Sequence, residues 1–248
     1  MPQTLGITIS GSDVEALQFS ALDRADVRLR IEEIGVLPSF RQGSAEAALF
    51  VAESLAGAGI PIIEITMTTP GAADVVSALV RRAPGVIIGA GHVNNKVVAR
   101  QCLDAGVKFL ATDALIPEVV ELAVREGVAI ISGAFTPTEI VAARNAGSDF
   151  VRVFPCDAAG GARYIRSVRA ALPDVPLMAA GGVTQQTAFD IVAAGATALC
   201  VGRDLIPQEA IRLRQSRRIQ ELARRFLSCV DNGRIEAAGS NGSLTELK

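Results

Sequence analysis

The sequence predicts an α/β protein with a (β/α)8 barrel, and three observations support this fold class. First, short aliphatic or β-branched runs recur with starts 21–27 residues apart, which fits one strand, one helix and two loops. Second, the segments between them have helical spacing and helix-ending signals. Third, the runs are almost continuously apolar, as in a parallel sheet covered on both faces. The runs begin at Ile34, Pro61, Val86, Val107, Val128, Asp149, Val175 and Thr197.

The helical segments carry recognisable caps. Ser44 is a natural N-cap for the first helix that follows a strand, and Thr136–Glu139 (TPTE) has the pattern of a capping box. Four Ala-Gly pairs, at 58–59, 105–106, 146–147 and 194–195, precede strands and suit helix C-caps. An open doubly wound sheet is the alternative, but the chain has no GxGxxG after its first strand.

Length and composition predict one main domain. The 248 residues divide into an N-terminal extension (1–27), the barrel (28–230) and a polar C-terminal tail (231–248). A formal net charge of -2 gives no general attraction to nucleic acid, and no apolar run is long enough for a membrane span. The absence of a signal-like N-terminus and of a CxxC motif among the four cysteines indicates a cytoplasmic protein. One histidine excludes a multi-histidine metal site, and the chain has neither zinc-ligand spacing nor a Walker lysine motif. We expect no metal and no cofactor.

In such barrels the active site lies at the C-terminal ends of the strands. Glu64 and Arg152 each interrupt an apolar strand, where a charge is costly unless it is paired or used. They therefore form either a structural ion pair or a catalytic set, with Glu64 as general acid/base and Arg152 as an anion clamp. His92 follows the third strand and is either a structural or a catalytic imidazole. Cys156 is a weaker nucleophile candidate.

Other strand ends supply candidate ligand-binding groups. We expect Thr66, Asp113, Phe154 and Pro155 to line the substrate site. Glycine turns end the seventh and eighth strands, at Gly181-Gly182 and Gly202-Arg203, and each opens a helix. Paired backbone N–H turns in this place indicate a phosphate site, although tight-turn glycines alone would give the same pattern.

Several of these motifs together resemble the 2-keto-3-deoxy-6-phosphogluconate / 4-hydroxy-2-oxoglutarate aldolases, over roughly residues 28–228. The matching stretches, in the same order and spacing, are IIEITMTTP (62–70), IIGAG (87–91), TPTE (136–139), FVRVFP (150–155) and AAGGV (179–183). The resemblance implies a barrel lyase that cleaves a 2-keto-4-hydroxy acid to pyruvate and an aldehyde, without a cofactor and commonly as a homotrimer. It also implies a proton-shuttling role for Glu64.

The resemblance implies a Schiff-base lysine two residues before the Phe-Pro pair, and this chain has Arg152 there. A guanidinium stays protonated and cannot act as an amine nucleophile. The chain's three lysines, Lys96, Lys108 and Lys248, lie early in a helix, at the opening of a strand and at the last residue. Further departures from the family pattern are Pro38, Thr68, His92 and Arg203.

Two functions remain open from the sequence. The first is an aldolase-family lyase for a 2-keto acid whose Schiff-base chemistry is impaired or lost. The second is a repurposed barrel that binds a phosphorylated or keto-acid metabolite, or an isomerase-like enzyme that uses Glu64 and His92. In both cases we expect a small-molecule ligand, no nucleic-acid or membrane partner, and a homotrimer.

Overall fold

The computed structural model describes residues 22–245, with side chains up to residue 239. Its eight strands are parallel to their neighbours and form a closed barrel in chain order, with the first strand paired to the eighth. The elements are α1 (Arg24–Ile34), β1 (Val36–Phe40), α2 (Ala45–Ala56), β2 (Ile62–Thr66), α3 (Ala72–Arg82), β3 (Ile87–Gly91), α4 (Lys96–Asp104), β4 (Phe109–Ala111), α5 (Pro117–Arg125), β5 (Ala129–Ala134), α6 (Pro137–Asn145), β6 (Phe150–Val153), α7 (Cys156–Ala159), α8 (Ala162–Ala171), β7 (Leu177–Ala180), α9 (Gln185–Ala193), β8 (Ala198–Val201), α10 (Gln208–Arg212) and α11 (Ser216–Thr245).

The predicted (β/α)8 barrel is confirmed, and each strand begins within two residues of the predicted start. The predicted caps are also present. The Ser44 hydroxyl accepts from the Ala47 amide, and Thr136 with Glu139 forms the full capping box of α6. The glycines of the four Ala-Gly pairs have positive φ angles of 92° to 103°, which a residue with a side chain rarely adopts.

The N-terminal end of the barrel is closed by α1. Val27 and Ile31 are buried beneath the strands. Arg24 donates from Nε to both oxygens of Asp149, at 3.0 and 2.9 Å, and from Nη2 to the Gly147 carbonyl at 2.6 Å. The predicted boundary between residues 27 and 28 falls inside this helix, so residues 24–27 belong with the barrel. Residues 1–21 of the predicted extension lie outside the described residues.

The chain after β8 ends in two helices separated by a turn at Arg214 (φ 52°). The second of them, α11, continues to residue 245, past residue 231, where the tail was predicted to begin. Its polar continuation is held by packing against the barrel. A Cβ at Gly233 would lie 2.8 Å from Val192 Cβ, so the glycine lets α11 approach α9 closely. Arg234 donates to the Glu33 carbonyl at 2.8 Å.

Strand register determines which side chains meet inside the barrel. Glu64 on β2 lies beside Ser39 on β1 and beside Gly89 on β3. The Phe109 ring fills the space that a side chain at residue 89 would need, since a Cβ there would be 2.1 Å from Phe109 Cζ. The barrel is thus filled by large rings against glycines, as expected of a packed interior.

Candidate active site

A buried ion pair lies inside the barrel. Arg152 on β6 donates from Nη1 to Glu64 Oε1 at 3.2 Å, and its Nη2 donates to Glu64 Oε2 in a fork-to-fork arrangement. Only 3% of the Arg152 side chain and 1% of the Glu64 side chain are exposed. Ser39 adds a hydrogen bond from its hydroxyl to Glu64 Oε1 at 2.8 Å. The ion pair of the first interpretation is present, and the catalytic roles of Glu64 and Arg152 stay predictions.

Arg152 is held in its charged form by its neighbours. Burial opposes the charge, but the carboxylates of Glu64 and Asp113 favour it, and the pKa of Arg152 lies above its ordinary value. The contacts with Glu64 engage two of the five N–H donors of the guanidinium. Its Nε atom is buried and has no hydrogen-bond partner among residues 22–239. The guanidinium therefore cannot supply a neutral amine, but it retains capacity to donate.

The glycine that ends β3 makes room for the glutamate. A Cβ at Gly91 would lie 2.1 Å from Glu64 Oε1 and 2.5 Å from Glu64 Cδ. Real Cβ atoms do not approach so closely, so a side chain at residue 91 would displace the carboxylate from Arg152. The two glycines of the GAG segment (89–91) are thus explained, because the side chains of Phe109 and Glu64 occupy the space that side chains there would need.

His92 and Asp113 form a second polar pair at the barrel mouth. They follow β3 and β4, and the His92 Nδ1 atom is hydrogen-bonded to Asp113 Oδ2. Because an ionised carboxylate only accepts, Nδ1 carries the hydrogen, and in the neutral imidazole Nε2 keeps its lone pair. The side chains are 43% and 32% exposed, so this pair is far more accessible than Glu64 and Arg152. His92 has a φ of 55°, an uncommon conformation for a residue other than glycine.

The two pairs form one network. Arg152 Nη1 lies 4.0 Å from Asp113 Oδ1, so a single guanidinium faces the carboxylates of Glu64 and Asp113. With a neutral imidazole, negative charge exceeds positive charge in this cluster. That balance argues against Arg152 as the main holder of a ligand's carboxylate or phosphate.

The other predicted substrate-site residues surround this cluster at strand ends. Thr66 ends β2, and its hydroxyl lies 3.3 Å from the hydroxyl of Thr68. Phe154 and Pro155 follow β6 and are exposed. A Cβ at Gly181 would be 3.0 Å from Phe154 Cδ2, so the turn after β7 packs closely on the Phe-Pro corner. Contact of Thr66, Phe154 and Pro155 with a substrate stays a prediction.

The predicted phosphate site lies at the ends of β7 and β8, which are neighbours in the barrel. Gly181 and Gly182 have φ angles of 77° and 82°. In the described chain, the backbone amides of Gly182 and Arg203 donate to no backbone carbonyl, and the exposed Arg203 side chain forms no ion pair. Asp157 opposes this positive character, since a Cβ at Gly182 would lie 3.4 Å from Asp157 Oδ2.

Sequence reasoning missed two residues of the mouth. Ser39 is a small polar residue in an apolar strand, and its partner became visible only when register placed it beside Glu64. Arg41 follows β1 directly, and its Nε donates to the Thr68 hydroxyl at 3.0 Å. Its position just after a strand was the available signal. Since β1 pairs with β8, Arg41 and Arg203 follow adjacent strands.

The cysteines near the site are poor nucleophiles. Burial and the charge of Asp157 raise the pKa of Cys156 to about 11, and burial is the main reason that the pKa of Cys200 is raised to about 12. Both therefore remain thiols at neutral pH, when the thiolate is the reactive form. All four cysteines are free.

The lysines stand where the sequence predicted. Lys96 is the first residue of α4 and is exposed, and Lys108 precedes β4 at the N-terminal end of that strand. Lys248 lies outside the described residues. Residues 22–245 contain no group of three or more His, Cys, Asp or Glu side chains that could hold a metal ion. Within the same range, no helix is long and apolar enough to cross a membrane.

A closed (β/α)8 barrel with charged side chains gathered at the C-terminal ends of its strands is the arrangement of a barrel enzyme. The family model for KDPG and KHG aldolase matches residues 27–222, and the chain belongs to this family. It is thus an aldolase-family protein of the lyase type that has Arg152 in β6.

Two curated relatives agree with this assignment, and a solved structure shows the same fold. The chain is 27% identical over 190 residues to the KHG/KDPG aldolase of Escherichia coli, which covers 76% of this chain and 89% of that protein. It is 32% identical over 174 residues to a probable 2-dehydro-3-deoxy-6-phosphogalactonate aldolase of Rhizobium meliloti, covering 69% and 80%. A crystal structure of the KDPG aldolase of Legionella pneumophila, with pyruvate captured as a covalent carbinolamine, superposes with a TM-score of 0.74 at 24% identity, covering 79% and 96%.

Proposed function

We propose that this protein binds a small anionic carbonyl metabolite at the barrel mouth and does not form a Schiff base with it. The observation that carries the proposal is Arg152, which is buried and paired with Glu64 at the position where the family resemblance implies the lysine. A protonated, delocalised guanidinium has no lone pair for attack on a carbonyl carbon. The lyase step through a covalent imine is therefore lost in this chain.

The anionic part of the ligand is assigned to the side of the mouth formed by β7, β8 and β1. Support comes from the unpaired Gly182 and Arg203 amides and from the Arg203 and Arg41 guanidiniums. The charge balance of the Glu64, Asp113 and Arg152 cluster supports the same choice, because that cluster already holds an excess of negative charge. We expect a phosphate or carboxylate at this edge and the carbonyl carbon above Arg152.

Borohydride trapping tests the loss of Schiff-base chemistry. The protein would be incubated with pyruvate and sodium borohydride, and intact mass and peptide maps recorded. We expect no reduced pyruvyl adduct on any lysine, because neither Lys96 nor Lys108 lies inside the barrel. The Escherichia coli relative, treated identically, is the positive control for the reagents. An adduct mapped to a lysine of this chain would refute the proposal.

The anion site makes a separate prediction. Arg203→Gln should weaken the binding of inorganic phosphate or a phosphorylated ligand by about tenfold, since one charge-assisted contact contributes roughly 1.5 kcal/mol. Asp157→Asn should strengthen binding, because it removes the carboxylate beside Gly182. Isothermal titration calorimetry at low and high salt would measure both. Arg212→Gln, an exposed arginine on α10, is the matched control. Equal affinities for wild type and Arg203→Gln would place the anion elsewhere.

The proposal includes a homotrimer and a cytoplasmic location, which the family resemblance and the composition support. Sedimentation equilibrium of the full chain would test the assembly, and a mass of one protomer would contradict it.

A further inference from the structure

We infer that His92 and Asp113 form a proton-transfer dyad that removes a proton from the carbon next to the carbonyl of the bound metabolite. This inference rests on the proposed function, because it requires an anionic carbonyl ligand in the mouth. It assigns the proton transfer to a pair at the ends of β3 and β4, and it replaces the combination of Glu64 with His92 that the sequence suggested.

The choice of base follows from accessibility and hydrogen bonding. Glu64 is 1% exposed, and its oxygens already accept from Ser39 once and from Arg152 twice. Glu64 is therefore buried and engaged, with little access to a ligand in the mouth. His92 is 43% exposed at the barrel mouth, and its Nε2 lone pair is left available by the bond from Nδ1 to Asp113.

Asp113 has two effects on the imidazole. It fixes the tautomer with hydrogen on Nδ1, and it stabilises the imidazolium that forms when Nε2 accepts a proton. Arg152 Nη1, 4.0 Å from Asp113 Oδ1, places a positive charge beside that carboxylate. Asp113 is therefore a positioning residue, and the backbone of Gly133 fixes it closely, since a Cβ at residue 133 would be 2.1 Å from the Asp113 carbonyl.

The step balances without any co-reactant. The C–H bond next to the carbonyl breaks, its proton moves to His92 Nε2, and its electron pair forms a C=C bond as the carbonyl π pair moves to oxygen. The resulting enolate oxygen is negative, and the positive charge that forms on His92 balances it. Return of the proton to the same carbon gives exchange, and delivery to the neighbouring carbon gives isomerisation.

Deuterium exchange tests the dyad directly. Pyruvate and dihydroxyacetone phosphate, in separate samples in D₂O, would be followed by proton NMR with and without the full-length protein. We expect loss of the signal from hydrogens next to the carbonyl, faster than in buffer, in at least one probe. His92→Gln should slow exchange by about 100-fold or more, the contribution typical of a positioned base. Probe affinity, measured by calorimetry, should change little.

Asp113→Asn tests whether Asp113 positions the imidazole or only supports the fold. Its amide can donate to Nδ1 and so favours the tautomer that lacks a lone pair on Nε2, which should slow exchange by at least about tenfold without changing probe affinity. Arg125→Gln, an exposed substitution on α5, is the matched control and should exchange at the wild-type rate.

The outcomes distinguish this inference from the proposed function. If neither probe exchanges, or if His92→Gln exchanges as fast as wild type, the dyad is not the base. If borohydride traps a pyruvyl adduct, the proposed function fails, and any exchange then belongs to an imine. Exchange without trapping, lost in His92→Gln, supports both.

Discussion

Wild-type protein is expected to release pyruvate from 2-keto-3-deoxy-6-phosphogluconate at a rate far below that of an ordinary enzyme. Typical turnover is about 10 per second. Loss of a covalent nucleophile lowers kcat by on the order of 10⁴- to 10⁶-fold. Arg152 removes the nucleophile and cannot replace it, because its charge is held by Glu64 and Asp113. A steady-state assay coupled to pyruvate reduction would measure this.

Arg152→Lys should restore part of that rate. It returns an amine to β6 beside Glu64, and we expect a rise of roughly 100-fold or more over wild type, still below about 10 per second. Recovery stays partial because Pro38 and His92 also differ from the family pattern. Arg82→Lys, which adds a lysine on an exposed helix, is the control and should change nothing. Wild-type turnover near the ordinary enzyme value would contradict the proposal that Arg152 abolishes Schiff-base chemistry.

The barrel could be predicted from sequence because its signals are local and repeated. Strand runs, the Ser44 and Thr136 caps and the Ala-Gly pairs each specify a short segment, and their regular order specifies the topology. The end of the last helix could not be predicted in this way. Gly233 looks like a helix terminator in sequence, but its lack of a side chain serves the close approach of α11 to α9.

The candidate site was likewise predictable only where its sequence signals are local. Glu64 and Arg152 were recognisable as charges in apolar strands, and their pairing was one of two stated interpretations. The partner of His92 was not recognisable, because the contact with Asp113 depends on two strand ends that are 21 residues apart. Ser39 and Arg41 were missed because each acquires meaning only from a neighbouring strand. Which side chains meet across two strands depends on strand register, and the sequence gives only weak information about register.

Arg152→Met should strongly destabilise the fold. The substitution leaves the Glu64 carboxylate buried with Ser39 as its remaining partner among the contacts described. Breaking a buried ion pair in this way costs about 3–5 kcal/mol. For a domain of this size, each kcal/mol shifts Tm by roughly 2–4 °C, so a fall of about 6–20 °C is expected. Thermal unfolding followed by circular dichroism would measure it.

The double variant Glu64→Leu/Arg152→Met should recover most of that loss, because two apolar side chains of similar volume leave no uncompensated charge in the barrel. Arg82→Met, which removes an exposed ion pair with Glu46, is the matched control and should barely move Tm. The coupling energy between residues 64 and 152 compares the change in the free energy of unfolding of the double variant with the sum of the changes in Arg152→Met and Glu64→Leu. A double variant no more stable than Arg152→Met would mean that Glu64 is not left unpaired when Arg152 is removed, and that the two charges do not stabilise the barrel as a pair.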